Sequence, residues 1–374
     1  MLKQSQNFIN AVAAFLKGEP IDGAFDWARG YEIAKMHSLS NLFYAIAKKE
    51  KNVPEDVLKN AKAQYLQLVS QQIQQDYFAD ELYQKLSDAN IPFAPVKGKL
   101  IRSVYPDPTF RTSCDVDVFY DKTREKEAEE IMRALGFTKD GEWMNGNVTV
   151  ELHGELFVIN EIGYDYYQKI WDKLERKDGS RYAFSDEDFY IYFLAHSAKH
   201  FGNAGFGIRT VLDVYLFKSK KSLDEDYLNE ELEKLSLRTF KEKIEKLSFV
   251  WFGGAQADEE TDAIGEYVIR CGTYGSSENR ALMKGAGKGE TASSAKSKYV
   301  FKTLFPPYKT MVSKYPFLKK VPFLLPVMWV YKWFEVLFTR RKKFKQVAKI
   351  YKEMSDEKVD LTNKVLKITQ VPRV

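Results

Sequence analysis

The sequence predicts an α+β protein: a small mixed β-sheet flanked by N-terminal and C-terminal helical domains. Three observations carry this reading. Residues 1–89 repeat their apolar positions at helical spacing. Between Asn90 and Val158 short elements alternate as strand, helix, strand, helix, strand, a small α/β unit. From Ser185 the helical period returns. The expected organisation is an N-terminal helical region (1–89), an α/β core (90–184), a helical domain lining its cleft (185–271), a flexible linker (272–299) and a basic, aromatic C-terminal helical region (300–374).

Each element has a local reason. "FINAVAAFLKG" is a short amphipathic helix stopped by Gly18, and "DWARGYEIAKMHSLSNLFYAIAKKE" continues the helical spacing. Pro54 suits the start of a long helix running toward Leu86. Leu66, Leu68, Val69, Ile73, Tyr77, Phe78, Leu82 and Leu86 form its expected inner face. "NIPFAPVKG" is an apolar run bounded by Asn90 and Gly98, hence a strand, and "KLIRSVY" is a helical turn or two stopped by Pro106 and Pro108. "DVDVFYD" is the second strand, and "TREKEAEEIMRALGF" a helix closed by Gly136. A turn over Asp140 to Asn147 leads into the third strand, "NVTVELHGELFV". "SDEDFYIYFLAHSAKHF" opens with Ser185 three residues before Asp188, close to a capping box. Residues 272–299 are rich in Gly, Ser and Lys, which reads as linker.

A length of 374 residues asks for more than one domain, and 44% hydrophobic with 29% charged residues is the balance of a soluble globular protein. The two cysteines, Cys114 and Cys271, make no disulfide framework, and polar residues interrupt any apolar opening segment. A reducing, cytoplasmic setting is expected. The net charge of +5 is uneven: Lys296–Lys349 carries 14 Lys or Arg against one acid, Glu335, a net of +13, leaving −8 on the remainder. That acidic body argues against a nucleic-acid track over the core.

The chemistry concentrates on two strands. Asp115 and Asp117 are two apart, so alternation puts both carboxylates on one face and Val116 and Val118 on the other. Like charges this close call for a cation. Mg²⁺ takes hard oxygen ligands from one or two carboxylates and completes its shell with substrate phosphates. In "NVTVELHGEL", Thr149, Glu151 and His153 share a face while Val148, Val150 and Leu152 turn to the core. If the two strands are neighbours, Glu151 becomes the third carboxylate of a two-ion site. The turn at Gly98 brings free N–H groups toward phosphate, with Lys97, Lys99 and Arg111 as nearby cations.

The order of "FAPVKGKLIRSVYPDPTFRTSCDVDVFYD" and "VTVELHGELF" resembles the uncharacterised nucleotidyltransferase family of the DNA-polymerase-β-like superfamily. That family's pattern is a KG turn, a "YPDP…R" stretch, a DxD strand and a later "[DE]LH" strand. The downstream "FLAHSAKHFGNAGFGIRTVLDVYLF" and "LFPPYKTMVSKYPFLKK" are similar to its later segments. The resemblance implies that Asp115, Asp117 and Glu151 are catalytic and bind the metal, Mg²⁺ or Mn²⁺. It implies a nucleotidyltransferase core that moves a nucleoside monophosphate from an NTP to an acceptor and releases pyrophosphate. Lys97, Gly98, Lys99, Arg111 and His153 then bind the nucleotide from the core, while His196, Lys199, His200 and Arg209, with Asp213, either line the nucleotide or acceptor cleft from the downstream helices or serve packing and helix capping. One departure stands out: Lys99 follows Gly98 where the superfamily places Ser or Gly, and 17 positions separate Gly98 from Asp115. The acceptor stays open among a small molecule, a glycan precursor and a protein, and so does the choice of NTP.

Other readings are weaker. His196 and His200 share a helix face, but Ser197 stands where a zincin needs Glu, and no Cys or third His is near. "KGAGKGET" lacks the GK[ST] ending of a P-loop and no apolar strand precedes it. A DxD glycosyltransferase needs a nucleotide-binding α/β half before its DxD, and here the first 90 residues are helical. A catalytically silent relative acting as an interaction protein is the non-enzymatic alternative. The tail around "VPFLLPVMWVYKWFEVLFTRRKKFK" is broken by Pro322, Pro326, Lys332 and Glu335, so it is no transmembrane helix. It offers either a weak contact with an anionic membrane or a helix packed on the body.

Overall fold

The computed structural model describes residues 2–21, 25–285, 292–339 and 355–372. Four helices open the chain: α1 (Leu2–Lys17), α2 (Trp27–Met36), α3 (Ser40–Ala47) and the 34-residue α4 (Glu55–Asp88). Asp26 starts α2 by accepting a hydrogen bond from the Arg29 N–H. Helix α4 runs where the sequence places it, but its inner face differs. Leu66, Ile73 and Tyr77 are exposed, while Val57, Ala61, Gln72, Gln75, Ala79, Leu82, Tyr83 and Leu86 are buried. Mid-helix, the inward side meets backbone and charge rather than apolar side chains. Gln72 donates to the Pro108 carbonyl, and Asp76 accepts both terminal nitrogens of Arg102.

The sheet has seven strands: β1 (Phe93–Pro95), β2 (Val116–Tyr120), β3 (Thr138–Asp140), β4 (Glu142–Asn145), β5 (Val148–His153), β6 (Glu175–Asp178) and β7 (Arg181–Ala183). Their spatial order is β3-β4-β5-β2-β1-β7-β6, mixed in direction. Helices α5 (Gly98–Arg102) and α6 (Glu125–Ala134) lie between β1 and β3. The hairpins β3–β4 and β6–β7 are additions to the three strands read from sequence. Thr138–Asp140 and Glu175–Asp178 are fully exposed edge strands, so no apolar alternation marks them. One sheet face, with Val118, Tyr120, Val148 and Val150, packs on the end of α4 and on α6. The other, with Ala94 and Phe119, turns to the large helical core.

That core continues through α7 (Asp186–Asn203), α8 (Ile208–Lys220), α9 (Glu225–Lys234), α10 (Arg238–Ser248) and α11 (Glu259–Cys271). Ser185 caps α7, its Oγ accepting from the Asp188 N–H at 3.0 Å. The expected linker at 272–299 instead contains α12 (Ser277–Gly285), with Ala281 and Leu282 buried, and the start of α13 (Ala292–Leu304). Residues 286–291, which include most of the "KGAGKGET" motif, lie outside the described residues. Next come α14 (Tyr308–Lys314) and α15 (Leu325–Thr339), and a closing helix, Asp356–Thr369, packs on α10 and α11. The basic run Arg340–Lys345 lies outside the described residues.

Candidate active site

Strands β2 and β5 are parallel neighbours with Asp117 opposite Glu151 and Phe119 opposite His153. Alternation therefore sends Asp117, Glu151 and His153 out of one sheet face, away from the α4–α6 layer. They open into a cleft of about 420 Å³ between the sheet and helices α7 and α8, and Asp115, just before β2, lines the same cleft. His153 Nε2 lies 2.7 Å from Asp117 Oδ1 and 3.2 Å from Glu151 Oε2. Asp117, Glu151 and His153 each bring one ligand atom within 4.8 Å of the others. The tightest cluster is thus two carboxylates and an imidazole, with Asp115 at its border.

Lys97 completes the cluster. Its Nζ is 2.6 Å from Asp117 Oδ1 and 3.9 Å from Glu151 Oε2, so an ammonium stands between two acids. The donor set, hard carboxylate oxygens already gathered around a positive charge, fits a divalent cation. The backbone at Lys97 is held at φ +55° and ψ −113°, a conformation costing a non-glycine residue about 1–3 kcal/mol. Gly98 follows because the turn touches the next loop: a Cβ there would lie 2.6 Å from Ser113 Oγ. Ser113 in turn donates toward the Asp115 backbone and carboxylate oxygens at 3.0 and 3.3 Å.

The charges are unequally tuned. Burial opposes ionisation of Asp117, but the His153 hydrogen bond and Lys97 outweigh it and hold its carboxyl below the usual value. Burial, with Asp117 and Glu151 alongside, pushes the Asp115 carboxyl up to about 6. Burial opposes the His153 charge, yet Asp117 and Glu151 raise its pKa. Across the cleft, His196 and His200 meet Nε2 to Nε2 at 2.9 Å. Burial and the nearby lysines push His196 well down and His200 to about 4, so both are neutral at pH 7.

The other residues expected at the site divide. Lys199 lines the cleft but pairs with Glu161 at 2.7 Å. Arg111 lines it too, with its guanidinium committed to Asp213 at 3.1–3.2 Å and to the Thr112 carbonyl. Asp213 also accepts from the Tyr105 hydroxyl at 2.6 Å, so this is a buried strut tying the loop before β2 to α8. Arg209 is 9% exposed and donates from Nη1 to the Thr112 carbonyl, while its Nε has no partner. Lys99 turns away from the cleft and bonds Asp80 on α4 at 2.6 Å. The preceding turn offers little helix dipole, because α5 has only five residues.

Sequence reasoning missed Tyr192 and Tyr274. Tyr192 is buried beside the acids, and burial together with Asp117, Glu151 and Asp115 raises its pKa well above the ordinary value. It lies one turn before His196 on α7, so the helical spacing of the histidines pointed to it. Tyr274 stacks under the Arg209 guanidinium at 5.7 Å and meets Cys114 Sγ at 2.7 Å. It sits in the stretch that reads as linker, and nothing in the sequence marked it. A family model described as an uncharacterised nucleotidyltransferase matches residues 23–253, a span that holds both acid-bearing strands and helices α7 and α8. No curated protein and no solved structure matches the chain significantly.

Proposed function

Because the chain belongs to the uncharacterised nucleotidyltransferase family, we propose that this cleft transfers a nucleoside monophosphate from an NTP to an acceptor hydroxyl and releases pyrophosphate. The supporting observation is the in-register pairing of Asp117 with Glu151 on parallel strands, with Asp115 in the same cleft. Asp117 and Glu151, bordered by Asp115 and His153, would hold Mg²⁺ or Mn²⁺. When bound, the metal neutralises triphosphate charge and lowers the pKa of the acceptor hydroxyl.

The chain's own groups divide the remaining work. Lys97 leaves the acids and turns its ammonium to the phosphates. Arg209, with an unpartnered Nε and no carboxylate within 4 Å among the described residues, faces the triphosphate from the opposite wall. Glu151 takes the acceptor proton, the acceptor oxygen bonds to the α-phosphorus, and the bond from that phosphorus to the bridging oxygen breaks. The leaving pyrophosphate is met by Lys97 and the N–H groups at Gly98. The neutral His196–His200 pair orients the acceptor without adding charge. Incubation with each α-labelled NTP and Mg²⁺, with and without cell extract, tests the reading. Label in a product that vanishes in Asp117→Asn supports it, and no labelled product with any NTP overturns it.

A catalytically silent relative is the second reading, and one observation favours it: the Lys97 ammonium pairs with Asp117 and lies within 3.9 Å of Glu151. Metal binding by the purified protein separates the two.

A further inference from the structure

We propose that the face formed by α15 and the turns before it is a docking surface for an anionic lipid bilayer. Helix α15 is anchored through its indoles and its one acid. Trp329 and Trp333 donate their indole N–H groups to the Pro306 and Leu304 carbonyls at 3.0 and 2.7 Å, and both rings meet the Phe305 edge. Glu335 accepts from Lys314 and from the Tyr315 hydroxyl. The two indoles thus point to the link between α13 and α14, and Glu335 to the end of α14.

The outer side is apolar. Phe323, in the turn before α15, is 75% exposed, and Val327 and Val330 on the helix are 60% and 43% exposed. Tyr331 and Phe317 widen it, and Lys309, Lys319 and Lys320 stand exposed on the same short segment. An apolar patch turned to solvent marks a contact surface.

Charge selects the occupant. Among the described residues 292–339, eight Lys stand against one acid, Glu335, which is tied to Lys314 and Tyr315. A second copy of this face would bring like charge against like charge. A bilayer with anionic headgroups offers both requirements at once: phosphates for the lysines and a hydrocarbon boundary for Phe, Tyr and Val. No described helix is long and apolar enough to cross a membrane, so the contact is one of lying on the surface. An apolar patch and a basic stretch together are the two signals that make such binding stable. The contact would set the protein, and with it the cleft, at a lipid surface.

The test is sedimentation of the full chain with vesicles of phosphatidylcholine alone or with about one-third phosphatidylserine, at low and at high salt, without nucleotide. Each lysine near the surface strengthens binding by about five-fold, so the anionic vesicles should bind at least ten-fold more tightly, with the gap closing at high salt. Phe323→Ser combined with Val327→Ser should weaken binding about ten-fold with an unchanged melt. Phe323→Trp should show an emission blue shift with anionic vesicles. Three results would overturn the proposal: protein left in the supernatant with anionic vesicles at low salt, unaltered binding by the double variant, or a concentration-dependent dimer that the double variant abolishes. Vesicle binding needs no nucleotide, so these outcomes are independent of the nucleotidyl-transfer reading.

Discussion

Replacing Lys97 by Met should tighten divalent-metal binding, although it removes a residue expected to serve the reaction. The Lys97 ammonium sits 2.6 Å from Asp117 Oδ1, with Lys97 23% and Asp117 2% exposed at the side chain. An incoming ion must displace it. A hydrogen bond to a charged group is worth about 1.5–3 kcal/mol, and each 1.36 kcal/mol is ten-fold, so the Kd for Mn²⁺ should fall by about 10- to 150-fold. Removing the ammonium also leaves Asp115, Asp117 and Glu151 facing one another with less compensation, which drives affinity the same way. Methionine keeps the length and apolar stem, and the strained backbone is set by the turn rather than the amine. Titration by electron paramagnetic resonance of free Mn²⁺, without NTP, measures Kd directly. Nucleotidyl transfer at saturating metal should drop, since the phosphates lose a cation. An unchanged or weaker Mn²⁺ affinity in Lys97→Met would refute the competition, and with it the assignment of these acids as the metal site.

Three further outcomes follow from the same geometry. Asp117→Asn should lower nucleotidyl transfer by about 10³-fold or more and abolish thermal stabilisation by Mn²⁺, which for the wild type at 100 times Kd is about 2.7 kcal/mol; a preserved metal-induced shift in the melt would count against the site. Arg209→Met should raise the KM for NTP by about ten-fold or more while the melt holds or rises, because a buried cation without a carboxylate partner is being replaced by an apolar side chain; an unchanged KM rules out the phosphate contact. His37 is fully buried, its Nδ1 accepts the Ile208 N–H at 3.1 Å, and burial pushes its pKa down to about 3. The unfolded chain takes up that proton below about pH 6.5, so the folded state loses stability as pH falls through this range, by about 2 kcal/mol at pH 5. Denaturant unfolding at pH 7 and pH 5 should show the loss, and His37→Gln should shrink it.

What the sequence made legible, and what it did not, has a common physical reason. Val116, Val118, Val148 and Val150 alternate with polar or acidic residues because one sheet face packs on α4 and α6 while the other faces the cleft, and this pattern needs no knowledge of distant contacts. The exposed strands β3 and β6 bury nothing, so no alternation announced them. The cations show the same divide. Lys97, Lys99, Arg111 and Arg209 look alike in a sequence, since each is a basic residue near a turn or helix start. Their partners separate them: Asp80 draws Lys99 away, and Asp213, 102 residues along the chain, fully engages Arg111. Arg209 is left with an unpartnered Nε in the cleft wall, and Lys97 is pulled onto the acids. The aromatic tail follows suit. Its composition showed that it was apolar and basic, but only the hydrogen bonds of Trp329 and Trp333 decide which side of α15 turns in. Once they point inward, helical spacing leaves Val327 and Val330 outside, and Phe323 is exposed in the turn before. The exposure of Phe323 and Val327 is thus a consequence of this anchoring rather than of poor packing, which is why serine at these two positions should weaken docking and leave the fold intact.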